Sequence, residues 1–473
     1  MYVCVCGNLC YYSCVYDNTF FFCYRSRKLI NCPSLSLISI LYRLEVTIEK
    51  IVCTRGVIPP LREGENNLSR IRNIVMSLPK CEMDFAGERY YRFNKILLNC
   101  FGLWPSQTRR VKILFVFFSA IFFSFIFVQF SALVTSKRDL DLVLKVLSHV
   151  LPVLIYTMNY NAYYFNAKKV KLMMTEVCND WNALDDKREI EIIEKYTYFM
   201  NIYTISIMVF LCICMVLFVF LEIWPIMLDF VVPLNESRPR KMHVVAEYFI
   251  DREKYFPFML LHEIVACLVG GVTLLSTGTI CMIYASHVCG MLKIVSFRIE
   301  HALGKNVLQH STSQVERIIC GRIVRAVELH RKILKFFDFM ISTFVVPFGI
   351  LIVIGVTSAT VNLYRLLQPS TMKNISEFTS SLMLLIMHFL YMFVANFIGQ
   401  IITDHSTDIY NTTCNVLWYV APLSSQKILL FLMHRTMKSV KPTIGNLFVA
   451  SLEGFATLST TSLSYFTMLY SLQ

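Results

Sequence analysis

Apolar residues fall in long unbroken runs along most of this chain, and charged residues collect in the short stretches between them. A helix needs about 20 mostly apolar residues to cross a bilayer. Seven runs reach that length, at approximately Val111–Val134, Val146–Phe165, Phe199–Leu221, Pro257–Ala285, Met340–Val361, Phe378–Ile402 and Leu447–Leu472. An eighth, Ile428–Met433, is too short and is bounded by Lys427 and Arg435, so it reads as a short helix lying on the membrane or, preferably, docked against its neighbours. The fold class expected is an all-α membrane protein with seven transmembrane helices. Before span five, Ser313-Gln314-Val315-Glu316 has capping-box form, and Ile318, Ile319, Ile323, Val327, Leu334 and Phe337 continue at helical spacing. Helices four to seven are therefore expected to extend into a cytosolic packing domain.

Composition supports a lipid solvent. Of 473 residues, 56% are hydrophobic and 16% charged, which is too little charge to cover a water-soluble exterior of this size. The net charge of +13 reads as an orientation signal rather than a nucleic-acid footprint, because Lys and Arg sit in short loops beside the apolar runs. One alternate set of loops holds Arg109 and Arg110, then Lys168, Lys169 and Lys171, then a basic stretch from Lys293 to Lys335, then Lys427, Arg435, Lys438 and Lys441. The opposite set is poorer in Lys and Arg, which predicts a cytosolic N-terminus and an extracellular C-terminus. The glycosylation sequons at Asn235 and Asn374 both fall in loops assigned outside, in agreement.

Residues 1–82 differ from the rest. They carry several cysteines and no run long enough to span, so they read as a gene-model extension or disordered segment before a native start at Met83. A signal peptide is the second reading, disfavoured by the lack of an apolar core followed by a small-residue cleavage site. The seven-helix domain then occupies 83–473. Many of the 17 Cys lie inside apolar runs, including Cys212, Cys214 and Cys267, and read as free thiols. No second ligand pair stands at zinc spacing from Cys4/Cys6 or Cys212/Cys214, and neither a metal nor another cofactor is expected.

The chain has no GxSxG elbow, Walker loop or HExxH, and no Asp or Glu pair is apparent in neighbouring spans, so an enzyme is not expected. Internal repeats typical of transporters are also missing, and Gly270-Gly271 in span four reads as close helix packing. Span seven is more informative. Thr457, Thr460, Ser464, Thr467 and Ser471 recur at intervals of three and four, placing hydroxyls on one helix face. That face either lines a pore, with Met468 or Leu472 as an apolar constriction, or is interhelical glue whose hydroxyls bond carbonyls one turn back. Near its inner end, Glu453 either attracts cations or pairs with a basic residue. Elsewhere, His149, Tyr156, Phe210, Phe258, His262, His388 and Tyr391 are scattered polar and aromatic groups in apolar spans. They either line a pocket for a lipophilic molecule or pack the core.

Several short stretches resemble the insect odorant receptor family. They are Asn94-Lys95 and Gly102-Leu103-Trp104-Pro105 before span one; His287 and Cys289-Gly290; Gly399-Gln400 with Thr403-Asp404; Trp418-Tyr419 and Pro422; Gln426-Lys427; and Leu447-Phe448, Ser451-Leu452 and Ser464-Tyr465-Phe466-Thr467. The resemblance covers about Met83 to Gln473 and implies a ligand-gated, non-selective cation channel. It also implies a tetramer with the shared odorant receptor coreceptor, at the plasma membrane of a sensory neuron dendrite. Carried onto this chain, it implies a pore and gate at Thr460, Ser464, Thr467, Met468, Ser471 and Leu472. It also implies a volatile-ligand pocket in the outer half of the bundle, for which depth and helix select Val153, Tyr156, Phe210, Cys214, Leu261, His262, Val265, His388 and Tyr391. The second cytosolic loop, Ser286 to Lys335, is much shorter than the coreceptor's, and the end of span seven departs from the gustatory pattern, so a tuning subunit is implied. A metabotropic receptor or a small-molecule transporter is the alternative. The first is opposed by the loop charges and by the lack of Asp-Arg-Tyr and Asn-Pro-x-x-Tyr motifs.

Overall fold

The computed structural model describes residues 88–471 apart from short stretches at 105–108, 136–138, 232–241, 243, 304–312 and 446, so the expectations for residues 1–82, Asn235 and Leu472 lie outside the described residues. Eleven helices follow in order among the described residues: α1 Glu88–Cys100, α2 Arg109–Thr135, α3 Leu140–Phe165, α4 Ala167–Asn182, α5 Lys187–Val231, α6 Arg252–Ala302, α7 Ser313–Leu366, α8 Pro369–Lys373, α9 Ile375–Asn415, α10 Leu423–Thr436 and α11 Leu452–Ser471. The two short strands β1, Thr443–Ile444, and β2, Phe448–Val449, pair antiparallel between α10 and α11.

Among the described residues, six helices are long and apolar enough to cross a membrane: α2, α3, α5, α6, α7 and α9. They coincide with the first six runs in the sequence, and the chain is a multi-pass helical membrane protein. On α2, Phe117, Phe123 and Phe127 are exposed, as are Ile213, Val216 and Phe220 on α5. Such side chains stay outside only where the surrounding solvent is itself apolar. α3 and α6 instead form the centre, and among the most buried large side chains are Tyr160 and Tyr284.

The sixth and seventh helices of the series greatly exceed a bilayer. With 51 residues in α6 and 54 in α7, an ideal rise gives lengths of about 75–80 Å against a hydrocarbon core of about 30 Å. Their overhanging ends pack with α4, α9 and α10. Asp180 of α4 accepts from His287 Nε2 of α6 at 3.1 Å and also pairs with Lys332 of α7. Glu189 of α5 receives both Nε and Nη2 of Arg298 on α6, each at 2.7 Å. Tyr284 Oη donates to the Val170 carbonyl at 2.9 Å. The short apolar run before span seven forms α10, which buries Leu429, Leu432 and Met433, so the docked reading holds over the surface one.

At the opposite end, Arg365 of α7 is buried and donates to Ser148 Oγ of α3 at 2.7 Å, with Glu377 of α9 at 3.6 Å. Lys145 lies between Asp141 and Glu377, so one charged group fastens three helices where the apolar packing ends.

The last run differs from expectation. It is not helical from Leu447: β2 holds Phe448 and Val449, Leu447 is almost fully exposed, and the helix begins at Leu452. Gly445, with φ of 59°, makes the hairpin turn that a helix through this stretch would forbid. The remaining 20 residues of α11 carry so many hydroxyls that the helix is not among the six apolar enough to cross by composition alone.

Candidate functional site

Two regions gather the residues singled out in the sequence. The first lies between α3, α6 and α9. Val153 is buried on α3, and Tyr156, one turn on, lays its ring on the α6 backbone at Gly270, where any added Cβ would overlap the ring. Glycine is needed here for close approach, as the small-residue reading of Gly270 anticipated. Val265 of α6 packs in the same apolar cluster as Val153 and Tyr156. A further turn along α3, Asn159 Nδ2 donates to the Ile155 carbonyl at 3.0 Å and reaches Tyr391 Oη of α9 at 3.4 Å. His388, one turn before Tyr391, is buried. Its Nδ1 bonds the Leu384 carbonyl at 2.6 Å, and Nε2 has no hydrogen-bond partner among the described residues. A buried polar atom of this kind is what a mostly apolar pocket uses to orient a ligand.

Not every selected residue joins this group. Cys214 is buried on α5, but Phe210 and Leu261 present exposed side chains, with Leu261 57% exposed. Depth along a helix selects these positions, and depth does not fix which side a residue faces. His262 is occupied elsewhere: its Nε2 lies 3.0 Å from Ser124 Oγ of α2 and its Nδ1 3.0 Å from Tyr248 Oη. Tyr248 belongs to the segment 244–250 before α6, which is held to α2 by a bond from the Glu247 amide to the Val128 carbonyl at 2.8 Å.

The expectation of no acid pair in neighbouring spans is overturned. Glu222 of α5 and Glu263 of α6 are both buried and lie close to one another. The sequence conceals the pair because the apolar run of span three ends at Leu221, whereas α5 continues to Val231. Asn159 and Tyr163 also stand outside the residues that sequence reasoning selects. Tyr163 Oη donates to the Thr277 carbonyl at 2.9 Å and lies 2.9 Å from Cys281 Sγ. The signal for both is present in Tyr156-Thr157-Met158-Asn159-Tyr160-Asn161-Ala162-Tyr163-Tyr164, an unusually polar stretch for a span.

The second region is α11. Gly454, Phe455, Leu458, Ser459 and Ser462 face the bundle and are buried. Glu453, Ala456, Thr457, Thr460, Ser464, Thr467, Met468 and Ser471 are exposed along the other side. A groove of about 520 Å³ follows this stripe past Glu453, Thr457, Thr460, Thr461, Ser464 and Tyr465. The exposed serine and threonine hydroxyls all donate backwards. Thr457 bonds the Glu453 carbonyl, Thr460 that of Ala456 and Ser464 that of Thr460, each at 2.9 Å. Thr467 and Ser471 donate to Ser464 and Met468 carbonyls, each at 2.8 Å. Their hydrogens are occupied by the helix itself, so these serine and threonine oxygens offer lone pairs outward, beside the phenol of Tyr465. Glu453 makes no ion pair among the described residues. At the start of α9, the exposed Asn374 accepts from the Ser376 amide through Oδ1 at 3.2 Å, acting as the helix cap.

The described residues thus form a multi-pass helical bundle with buried polar atoms in an apolar interior and one helix that presents an open hydroxyl face. The chain matches the 7tm Odorant receptor family over residues 139–463, and it belongs to that family. Its fold is similar to that of the insect olfactory receptor OR5 from Machilis hrabei solved in complex with eugenol, with a TM-score of 0.65 at 15% identity, covering 82% of this chain and 98% of that one. The same receptor in a second structure gives a TM-score of 0.63 at 13% identity with the same coverage. No curated protein matches the chain in sequence.

Proposed function

We propose that this chain is the ligand-binding subunit of a ligand-gated, non-selective cation channel opened by a small volatile or lipophilic molecule. The N-terminus is cytosolic, α11 is the seventh span, and the channel is a plasma-membrane hetero-oligomer, a tetramer, with the odorant receptor coreceptor. The observation that carries this reading is the exposed stripe from Glu453 to Ser471, whose serine and threonine hydroxyls present acceptors outward. Facing lipid, such a stripe gains nothing. Facing water on the axis of several subunits, its lone pairs replace part of a cation's hydration and repel anions. Met468 near the outer end forms the apolar constriction. Between α3, α6 and α9, Tyr156, Val153 and Val265 supply an apolar wall and His388 a hydrogen bond for the ligand. The sparse cations of the outer loops support the orientation.

The test is patch-clamp recording from cells expressing the chain with and without the coreceptor, while a panel of volatiles that includes eugenol is applied without added nucleotide. Fast cation currents that require both subunits are expected. Ligand responses that need a G protein, or substrate flux without unitary openings, would replace this reading with a metabotropic receptor or a transporter.

A further inference from the structure

The motif Gly399-Gln400 with Thr403-Asp404 has no place in either region, yet it meets the origin of the stripe-bearing helix. The Ser451 amide donates to Asn396 Oδ1 of α9 at 3.2 Å, and the Leu452 amide donates to Gln400 Oε1 at 3.3 Å. The first amides of a helix have no partner inside it, and here a neighbouring helix satisfies two at the start of α11. Both amide side chains are fixed in orientation: Asn396 Nδ2 donates to the Met392 carbonyl at 2.8 Å, and Gln400 Nε2 to Asp404 Oδ1 at 2.7 Å. The approach is close because Gly399 lies against Ala450, and Gly454 against Val449 and Asn396. Higher up, Thr360 of α7 reaches the Ser462 carbonyl at 3.3 Å, whereas the stripe residues beyond it bond only within α11.

α9 carries His388 and Tyr391 about one to two turns above Asn396, so a single rigid helix runs from the apolar interior to this joint. We infer that Asn396 and Gln400 are positioning residues for gating. They hold the base of α11 to α9, and Asp404 sets the angle at which Gln400 does so, so that displacement of α9 by a bound molecule tilts the stripe. The inference rests on the channel reading above.

The joint is tested by exchanging its donor and acceptor. Gln400→Glu puts two carboxylates side by side. Adding Asp404→Asn restores the same bond with its direction reversed, while the introduced carboxylate keeps an oxygen for the Leu452 amide. Full-length chains are recorded with the coreceptor, using eugenol and the same volatile panel, with surface biotinylation in parallel. Gln400→Glu is expected to change open probability at saturating agonist by about fivefold, the scale of one displaced hydrogen bond, with unitary conductance unchanged. The double variant returns to within about twofold of wild type. Gln400→Met, which removes both contacts at similar volume, behaves as Gln400→Glu. Wild-type gating in Gln400→Met at normal surface level overturns the inference. So does failure of the double variant to improve on Gln400→Glu, or a loss confined to surface abundance. A silent wild type removes the channel reading itself and the inference with it, a different outcome from variants that gate normally.

Discussion

Tyr156 of α3 rests its ring directly on the backbone of Gly270 in α6, and any side chain at Gly270 would occupy the space of Cδ2 and Cε2. Two central helices therefore approach each other through one aromatic face and one bare Cα, beside Val153 and Val265.

Gly270→Ala forces that ring to move. Overpacking of this kind costs about 1–3 kcal/mol in a tight core. The expected result is a lowered melting temperature in detergent and, at normal surface expression, at least a severalfold shift in agonist potency. Restoration of both by the added change Tyr156→Leu, measured by thermal unfolding and dose–response curves, checks that the contact is the cause.

If His388 orients the ligand through its partnerless Nε2, His388→Leu weakens binding of hydrogen-bonding volatiles by about tenfold and leaves hydrocarbon ligands less affected. Tyr391→Phe removes the hydroxyl met by Asn159 and should act in the same direction but more weakly. Equal potency of an alcohol and its hydrocarbon analogue on wild type and His388→Leu would place the ligand elsewhere.

Along α11 the expectation is the reverse. Met468→Ala or Ser471→Ala alters conductance or ion selectivity while potency stays near wild type. Thr460→Val keeps the shape but removes the outward oxygen, so the ratio of cation to anion permeability falls. Reversal potentials in salt gradients measure this. A change of potency without a change of permeation would make the helix a packing element.

The Asp180 carboxyl at the overhanging end is buried, which by itself would raise its pKa. The hydrogen bonds and charges of His287 and Lys332 together outweigh that and hold it below the ordinary 3.8. A folded-state value below the unfolded one means that the stabilisation is present above about pH 4 and is lost as acid protonates the folded carboxyl. Asp180→Asn removes the charge and one of the two oxygens that His287 and Lys332 share, and is expected to cost about 2–3 kcal/mol, less than a fully sealed pair because Lys332 is 45% exposed. Melting curves of wild type and variant should converge on acidification below pH 4.

The first six spans are legible in the sequence because each is an apolar run of bilayer length, and in lipid a single segment satisfies its own backbone only as a helix. The hydroxyl stripe is legible for a related reason: a helix places every third and fourth residue on one side, so the spacing from Thr457 to Ser471 becomes a surface. Where α11 begins is not legible. Leu447, Phe448, Val449 and Ala450 are as apolar as a span, and it is the turn at Gly445, pairing Phe448 and Val449 with Ile444 and Thr443, that keeps them out of the helix. Contacts distant in sequence are equally hidden, as between Glu222 and Glu263 or Gln400 and Leu452, because periodicity orders one helix and says nothing about its neighbour. The pocket assignments divide on the same ground: Tyr156 and His388 are directed inward, whereas Leu261 at similar depth points out.

The phenylalanines and branched residues that α2 and α5 turn outward have a bearing on dose. An oily volatile dissolves in the bilayer before it meets any protein, and each added methylene raises its share there by about 0.8 kcal/mol. The concentration such a receptor experiences is then that of the membrane rather than of the surrounding fluid. Along a homologous series, apparent sensitivity should climb with partition coefficient until the molecule outgrows its binding site, and the chain length at that break would give the length of that site in methylenes.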